Sequence, residues 1–381
     1  MGLSPPFLVC TVRSGRGATL SPLVVAVTCT AGELYAHDEG TTMTIRGNGL
    51  SDLGGSSGPT IGEAGEFALI DRITSAAPQP GPAVIVGLGD DAAVVAVPLG
   101  SVACSTDALV EGVHFRRDWS SAGDVGRKAV AVNLADIEAM GATGIGVVMA
   151  ISAPKDLPMA WLDEFRDGVL AECADAGVAL LGGDTTASPV LTVVGTALGD
   201  LDGRPPVTRA GAREGQQVAY AGRLGWAAAG LRALSRGFRS PRVVVEAQRR
   251  PEVPYGFGRR AAEAGASSLI DVSDGLLADL GHIASASQVA IELESSRFEI
   301  AEPLQAVAAA TGGDPLQLVL TGGEDHALVG TFDDVPDGWT VIGTVVAGDA
   351  EVRVDGEVPE WPAGHDHFGG AESGRRGGGS R

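Results

Sequence analysis

A carboxylate returns again and again at or near the end of a strand-like or helix-like run, mostly beside Gly, Ser or Thr. The five instances are Gly89-Asp90-Asp91, Ser105-Thr106-Asp107, Asn133-Leu134-Ala135-Asp136, Gly182-Gly183-Asp184-Thr185-Thr186 and Asp271-Val272-Ser273-Asp274-Gly275. Around them, short β-rich runs alternate with stretches of helical period, and that alternation restricts the chain to a mixed α/β fold. Strands are expected at 83–88, 92–97, 101–105, 145–152, 178–181 and 191–198, with helices at 124–140 and 160–176. In this reading 101–105 delivers Thr106 and Asp107 to a strand end, and 178–181 ends in Gly182-Gly183-Asp184. The chain turns into a second mixed unit near residue 205. Strands are expected there at 217–221, 269–272, 316–320, 327–331 and 340–345, and helices at 225–235, 259–264 and 276–287.

The ends read differently. Residues 1–59 show no sustained helical or strand period and close on a Gly/Ser-rich stretch, so a loosely ordered extension is expected. A helical pattern at 66–76 opens the first unit, 60–204; the second spans 205–368, and 369–381 is a flexible tail. The apolar run 20–31 is too short and interrupted for a membrane span, which needs about 20 apolar residues. Arg13 and Arg16 precede it as in a secretory signal, but nothing downstream resembles an exported scaffold. The four cysteines are widely spaced, with no metal-binding or disulfide pattern, which fits a reducing cytoplasm. A formal charge of -21 argues against a nucleic-acid or anionic-membrane partner.

Singly, each acidic turn is ordinary turn and cap chemistry. Five together point to phosphate and metal. Magnesium takes hard oxygen ligands in octahedral array, supplied by one or two carboxylates plus substrate phosphates. The chain has no Gly-x-x-x-x-Gly-Lys-Ser/Thr loop and no protein-kinase Lys and catalytic-loop set, so an ATP site here is of another kind. Arg209, a guanidinium able to fork onto phosphate oxygens, is a candidate contact.

Six strings, in this order and spacing, carry a specific resemblance: GDDAAV (89–94), STDALVEGVHF (105–115), NLADIEAMGA (133–142), GGDTT (182–186), DVSDGLLADLGHI (271–283) and TGGEDHALV (321–329). Together with Asp366-His367-Phe368 they make the chain from about 61 to 368 resemble the thiamine-monophosphate kinase family, within the aminoimidazole ribonucleotide synthetase superfamily. The resemblance implies a two-domain α/β (α+β) fold and a homodimer whose N-terminal halves share a β-barrel, with a C-terminal α/β domain completing the site. It implies ATP and magnesium-dependent phosphorylation of thiamine monophosphate to thiamine diphosphate. By motif, Asp91, Ser105, Thr106, Asp107, Asp136, Asp184, Asp271 and Asp274 would hold magnesium ions. Gly183, Asp184, Arg209 and Ser273 would contact ATP, and His114, Glu324 and Phe368 the thiamine phosphate, with no side chain acting as a covalent nucleophile. Four positions depart from the family pattern: Ala135 for Ser, His326-Ala327 for Tyr-Glu, and His365 for Tyr. The competing readings are another ATP-dependent kinase or synthetase of the superfamily, and an acidic cation-binding module without turnover.

Overall fold

Short connections between strand-forming runs decide which strands become neighbours. The computed structural model describes residues 26–30, 33–38, 41–45, 84–86, 93–97, 100–361 and 364. These belong to two units, residues 1–63 and 64–381. The helix expected at 66–76, the Gly89-Asp90-Asp91 turn, His365, Phe368 and the tail lie outside the described residues.

In the first unit β1 (Ala26–Thr30), β2 (Glu33–Asp38) and β3 (Thr41–Ile45) pair as an antiparallel meander, with Ala26 opposite His37 and Asp38 opposite Thr41. Thus a stretch that showed no sustained period in the sequence contains three strands. They are only five or six residues long, too short for a period to emerge. Each two-residue gap between them ends in Gly, a residue that tight hairpins favour.

The second unit holds two six-stranded sheets. The N-terminal one is formed by β4 (Val84–Val86), β5 (Ala93–Val97), β6 (Gly100–Val110), β7 (Thr143–Ala153), β8 (Ala179–Ala187) and β9 (Thr192–Asp200), in the order β4-β5-β6-β9-β7-β8. It is open, with β4 and β8 at its edges. Two helices, α1 (Ala122–Ala139) and α2 (Met159–Ala176), accompany it. Alternation along the central strands aims Ala103, Leu109, Val147, Val193 and Ala197 into one core with Val125, Ala129 and Val132 of α1. Ser121 starts α1 with a capping box: its Oγ accepts from Asp124 N, and Asp124 Oδ2 accepts from Ser121 N at 3.0 Å.

The C-terminal sheet has the order β11-β13-β10-β14-β12-β15. Its strands are β10 (Gln217–Ala221), β11 (Ser268–Asp271), β12 (Ala290–Leu293), β13 (Leu328–Phe332), β14 (Thr340–Val346) and β15 (Val352–Val354). Its helices are α3 (Trp226–Ser235), α4 (Arg242–Arg249), α5 (Phe257–Glu263), α6 (Leu276–Ser287), α7 (Glu302–Thr311) and α8 (Pro315–Thr321). A smaller core of Ala139, Val207, Leu269, Leu328, Phe332 and Trp339 joins the end of α1 to this sheet.

Several sequence expectations shift. Residues 316–320 are helical because Asp314 accepts from Leu316 N as N-cap and Pro315 takes the first helical position. Strand β6 continues to Val110, so Thr106 and Asp107 sit inside it rather than at its end. Strand β8 runs through Gly182-Gly183-Asp184-Thr185-Thr186, paired to β7, so that motif is not a turn.

Helices α1 and α2 touch through backbone. A Cβ on Gly126 would lie 2.2 Å from Phe165 O, and one on Gly168 would lie 2.1 Å from Gly123 O. Gly126→Ala should therefore cost about 1–3 kcal/mol by overpacking. Gly281→Ala in α6, where nothing lies within 4 Å, should instead stabilise by roughly 0.5–1 kcal/mol. Urea midpoints of the two variants test the contrast; equal shifts would contradict the close helix contact.

Candidate active site

A cavity of about 530 Å³ lies between the two halves of the second unit, and Asp107, Asp136, Asp271 and Asp274 all line it. Each reaches it by a different local device. Gly195 faces Asp107 across β6 and β9, and a Cβ there would lie 2.3 Å from Asn133 Nδ2. Its absence lets Asn133 of α1 lie against the sheet, where its Oδ1 accepts from Asp107 N at 2.9 Å. Asp136 follows three residues later on α1 and accepts from Ser105 Oγ. Asp271 ends β11, and Asp274 precedes α6 in a turn held by buried Asp279, whose Oδ2 accepts from Gly275 N at 3.0 Å and Asp274 N at 3.2 Å.

The 271–275 turn is bonded to the 322–326 loop by main chain. Glu324 N donates to Ser273 O at 2.7 Å and His326 N to Val272 O at 2.9 Å. Gly323 allows this approach, since a Cβ there would lie 2.4 Å from Ser273 O. Glu324 and His326 both take positive φ, 67° and 51°, and both line the cavity. His326 Nδ1 is 2.9 Å from Asp271 Oδ2. Burial alone lowers the His326 pKa, but the hydrogen bond and charge of Asp271, with Glu324 and Asp107 nearby, raise it above the usual imidazole value. The residue that replaces the family's tyrosine is thus packed against a cavity carboxylate and orients it.

His114 stands on the opposite half, in a tight turn in which Gly112 N donates to Phe115 O and His114 N to Val110 O. Its Nδ1 accepts from Val110 N at 3.1 Å, which leaves Nε2 to carry the proton of the neutral ring. Lys128 of α1 links this turn to the other half. Its side chain is 2% exposed, and its ammonium donates to Glu324 Oε2, to His114 O at 3.2 Å and to Gln248 O at 3.4 Å. Burial raises the Glu324 pKa, but the Lys128 charge and hydrogen bond, with His326 and His114, outweigh it and hold the carboxyl below its ordinary range.

The cavity thus gathers Asp107, Asp136, Asp271, Asp274, Ser273, His114 and Glu324 of the residues singled out in the sequence, with Ser105 bonded to Asp136. It does not gather the rest. Thr106 points to the other face of β6, 2.8 Å from Thr196 Oγ1. Asp184 pairs with Ala150, one residue beyond the Asp107-Gly195-Met149-Gly183 row, so it too faces away from α1. Gly183 and Asp184 line a separate cavity of about 360 Å³ along β8 and α2, and β8 is three strands from β6, ~14 Å. Arg209 lies beside His282 of α6, whose pKa is lowered by burial and by the Arg209 charge. Asp91 and Phe368 lie outside the described residues. Lys128 was not foreseen, although the signal exists: it falls at helical spacing between Val125 and Val132 on the buried side of α1.

Among the described residues no three acidic, His or Cys side chains converge closely enough to enclose an ion by themselves. The four carboxylates that line the cavity are hard oxygen donors of the kind magnesium takes, alongside waters and phosphate oxygens. No helix of the described residues is long and apolar enough to cross a membrane.

A family model for AIR synthase related proteins, N-terminal domain, matches residues 89–201, so the acidic cavity is built partly on a domain of that class. Thiamine-monophosphate kinase of Mycobacterium tuberculosis is 46% identical over 334 residues, covering 86% of this chain and 97% of the relative. That of Corynebacterium glutamicum is 39% identical, covering 82% and 96%. The solved structure of AaThiL complexed with AMPPCP and TMP matches with a TM-score of 0.75 at 31% identity, covering 82% of this chain and all of that one. The chain belongs to the thiamine-monophosphate kinase family, and the resemblance carried by its motifs is borne out.

The Lys128 and Glu324 charges are coupled, although Glu324 is 38% exposed, which weakens the pair. Lys128→Met should lower the unfolding free energy by about 2 kcal/mol, and Lys128→Met/Glu324→Met by clearly less than the sum of the single losses. Urea denaturation of the four proteins tests this; strict additivity would show that the charges do not interact.

Proposed function

We propose that this enzyme transfers the terminal phosphoryl group of ATP to the phosphate of thiamine monophosphate, giving thiamine diphosphate and ADP. The observation that carries the reading is the single cavity in which four aspartates meet His114 and Glu324, in a chain whose structural relative was solved with AMPPCP and TMP. Magnesium ions would be held by Asp107, Asp136, Asp271 and Asp274, with Asp91 joining them. When bound, they neutralise charge on the donor and acceptor phosphates.

The rest follows from the side chains. Asn133 and Ser105 fix Asp107 and Asp136 from α1 and β6, while Asp279 and His326 fix Asp274 and Asp271 from the other half, so the carboxylates are set before the substrates arrive. Glu324, held ionised by Lys128, offers a fixed negative point to the cationic thiazolium ring. His114 offers its Nε2 proton to the acceptor phosphate, and Ser273 a hydroxyl to ATP. No lining group is a convincing phosphoryl acceptor, so the acceptor phosphate oxygen attacks ATP directly in a ternary complex. Thr106, Gly183, Asp184 and Arg209 do not line this cavity, and they take no part in this reading.

The same reading includes a homodimer with a barrel shared between N-terminal halves. Its support is the outer strand β8, exposed along its whole length, with Leu180 and Leu181 beside exposed Ile145 and Val148 of β7; an unpaired apolar edge invites a partner. A reducing cytoplasm is the inferred compartment, consistent with free thiols at Cys104 and Cys173.

Incubation with ATP, magnesium and either thiamine or thiamine monophosphate, with products identified by mass, should give the diphosphate from the monophosphate and leave thiamine unchanged. The opposite pattern would refute the acceptor assignment. Asp107→Asn and Asp274→Asn should each reduce turnover by at least ~100-fold. Near-normal rates in both, or a labelled phosphoenzyme trapped with ATP alone, would overturn the mechanism. Leu181→Lys should shift the protein toward monomer in light scattering; an unchanged mass would remove β8 from the interface.

A further inference from the structure

Phosphoryl transfer makes no use of Gln248 in the cavity wall. Gln248, in the last turn of α4, is 6% exposed and lines the cavity, yet its Oε1 is buried with no hydrogen-bond partner among the described residues. Such a group is costly to leave unmatched, and buried polar atoms are nearly always satisfied once the native ligand is included. Its position is well determined. Helix α4 lies directly against α3 at Gly230, where a Cβ would come within 2.0 Å of Val244 O and 2.8 Å of Gln248 Cβ. The main-chain carbonyl of Gln248 also accepts from Lys128 Nζ at 3.4 Å. Through that ammonium it shares a hydrogen-bond network with Glu324 and the His114 carbonyl, which puts the amide at the acceptor's end of the cavity.

The surroundings are those of a flat ring. Ala227, Ala228 and Leu231 of α3 share the cavity wall with Gln248, as does Trp119, whose ring carries the Arg116 guanidinium 4.4 Å from its centroid. An apolar and aromatic wall with one carboxamide suits a heteroaromatic ring that has an exocyclic amine beside a ring nitrogen. A carboxamide binds such an edge with two hydrogen bonds, as Gln and Asn bind adenine, and its terminal torsion turns easily enough to present both ends.

We propose that Gln248 is a specificity-determining residue for the acceptor. Its oxygen accepts from the exocyclic amine of the thiamine aminopyrimidine, and its NH2 donates to the adjacent ring nitrogen. This rests on the thiamine monophosphate reading of the same cavity. The test compares thiamine monophosphate with its deamino analogue, in which hydrogen replaces the exocyclic amine, so that no turn of the carboxamide restores the pair of hydrogen bonds. The natural protein should prefer the amine by roughly 10–100-fold in kcat/KM. Gln248→Leu should lose about that factor on thiamine monophosphate alone, bringing the ratio near one while the KM for ATP stays unchanged. Gln248→Met, which keeps the length and removes both donor and acceptor, gives the same reading if the leucine variant does not fold. An unchanged ratio in a folded variant would overturn the assignment, as would a rise confined to the KM for ATP, which would place the amide on adenine. A natural protein inactive on thiamine monophosphate would instead refute the function itself.

Discussion

The ammonium of Lys128 lies out of water on the inner side of α1, surrounded by oxygens from three distant stretches of chain: the His114 turn, the end of α4 and Glu324. A lone buried charge would be several kcal/mol unfavourable, so these three segments are held where the charge requires them. The cavity is the space they leave between them. Its two walls come from different halves of the second unit, and the small core of Ala139, Leu269 and Phe332 keeps those halves in register. Electrostatics and packing therefore specify one geometry, which is the condition for a site that must place two phosphates in line.

Around that charge the chain uses absent side chains as much as present ones. Gly195 gives Asn133 room to reach the Asp107 amide, and Gly323 lets the 322–326 loop lie on the 271–275 turn. Gly126 and Gly168 bring α2 against α1, and with it the helix that presents Lys128, Asn133 and Asp136 on adjoining faces. Little of this shows as hydrophobic patterning, and only part of it as motif.

What was legible in the sequence was what is local. The central strands, the long helices α1 and α6, and the acidic residues themselves follow from period, caps and small-residue spacing. Longer-range features were not legible. Strand β8 continues through Gly182-Gly183-Asp184 because β7 pairs with it, which no turn-forming preference reveals, and that pairing sends Asp184 away from Asp107. Helix α4 is short, with Pro241 before it and Arg at both ends, and no element is expected there from the sequence; in the fold it packs against α3 at Gly230. The Lys128 contacts span 14 to 196 residues of sequence; only its place on an apolar helix face hinted at burial. The motif resemblance supplied what local physics did not, by linking Asp107, Asp274 and Glu324 before any distance was known.

Three consecutive residues point in three directions. Glu324 meets Lys128, Asp325 accepts from Gly225 N at 2.5 Å and Ala227 N at 2.8 Å at the start of α3, and His326 meets Asp271. Two of the three hold left-handed backbone angles, each disfavoured for a residue with a Cβ by roughly 1 kcal/mol or more. A segment fixed at every residue cannot slide. Inserting or deleting one residue here would misplace the anchors: a shift one way sets His326 under the α3 amides and Ala327 against Asp271, and a shift the other way sets Gly323 against Lys128 and Asp325 against Asp271, whereas a surface loop absorbs the change. Natural variation in chain length should therefore stop short of this tripeptide on both sides, however freely the segments beyond it drift.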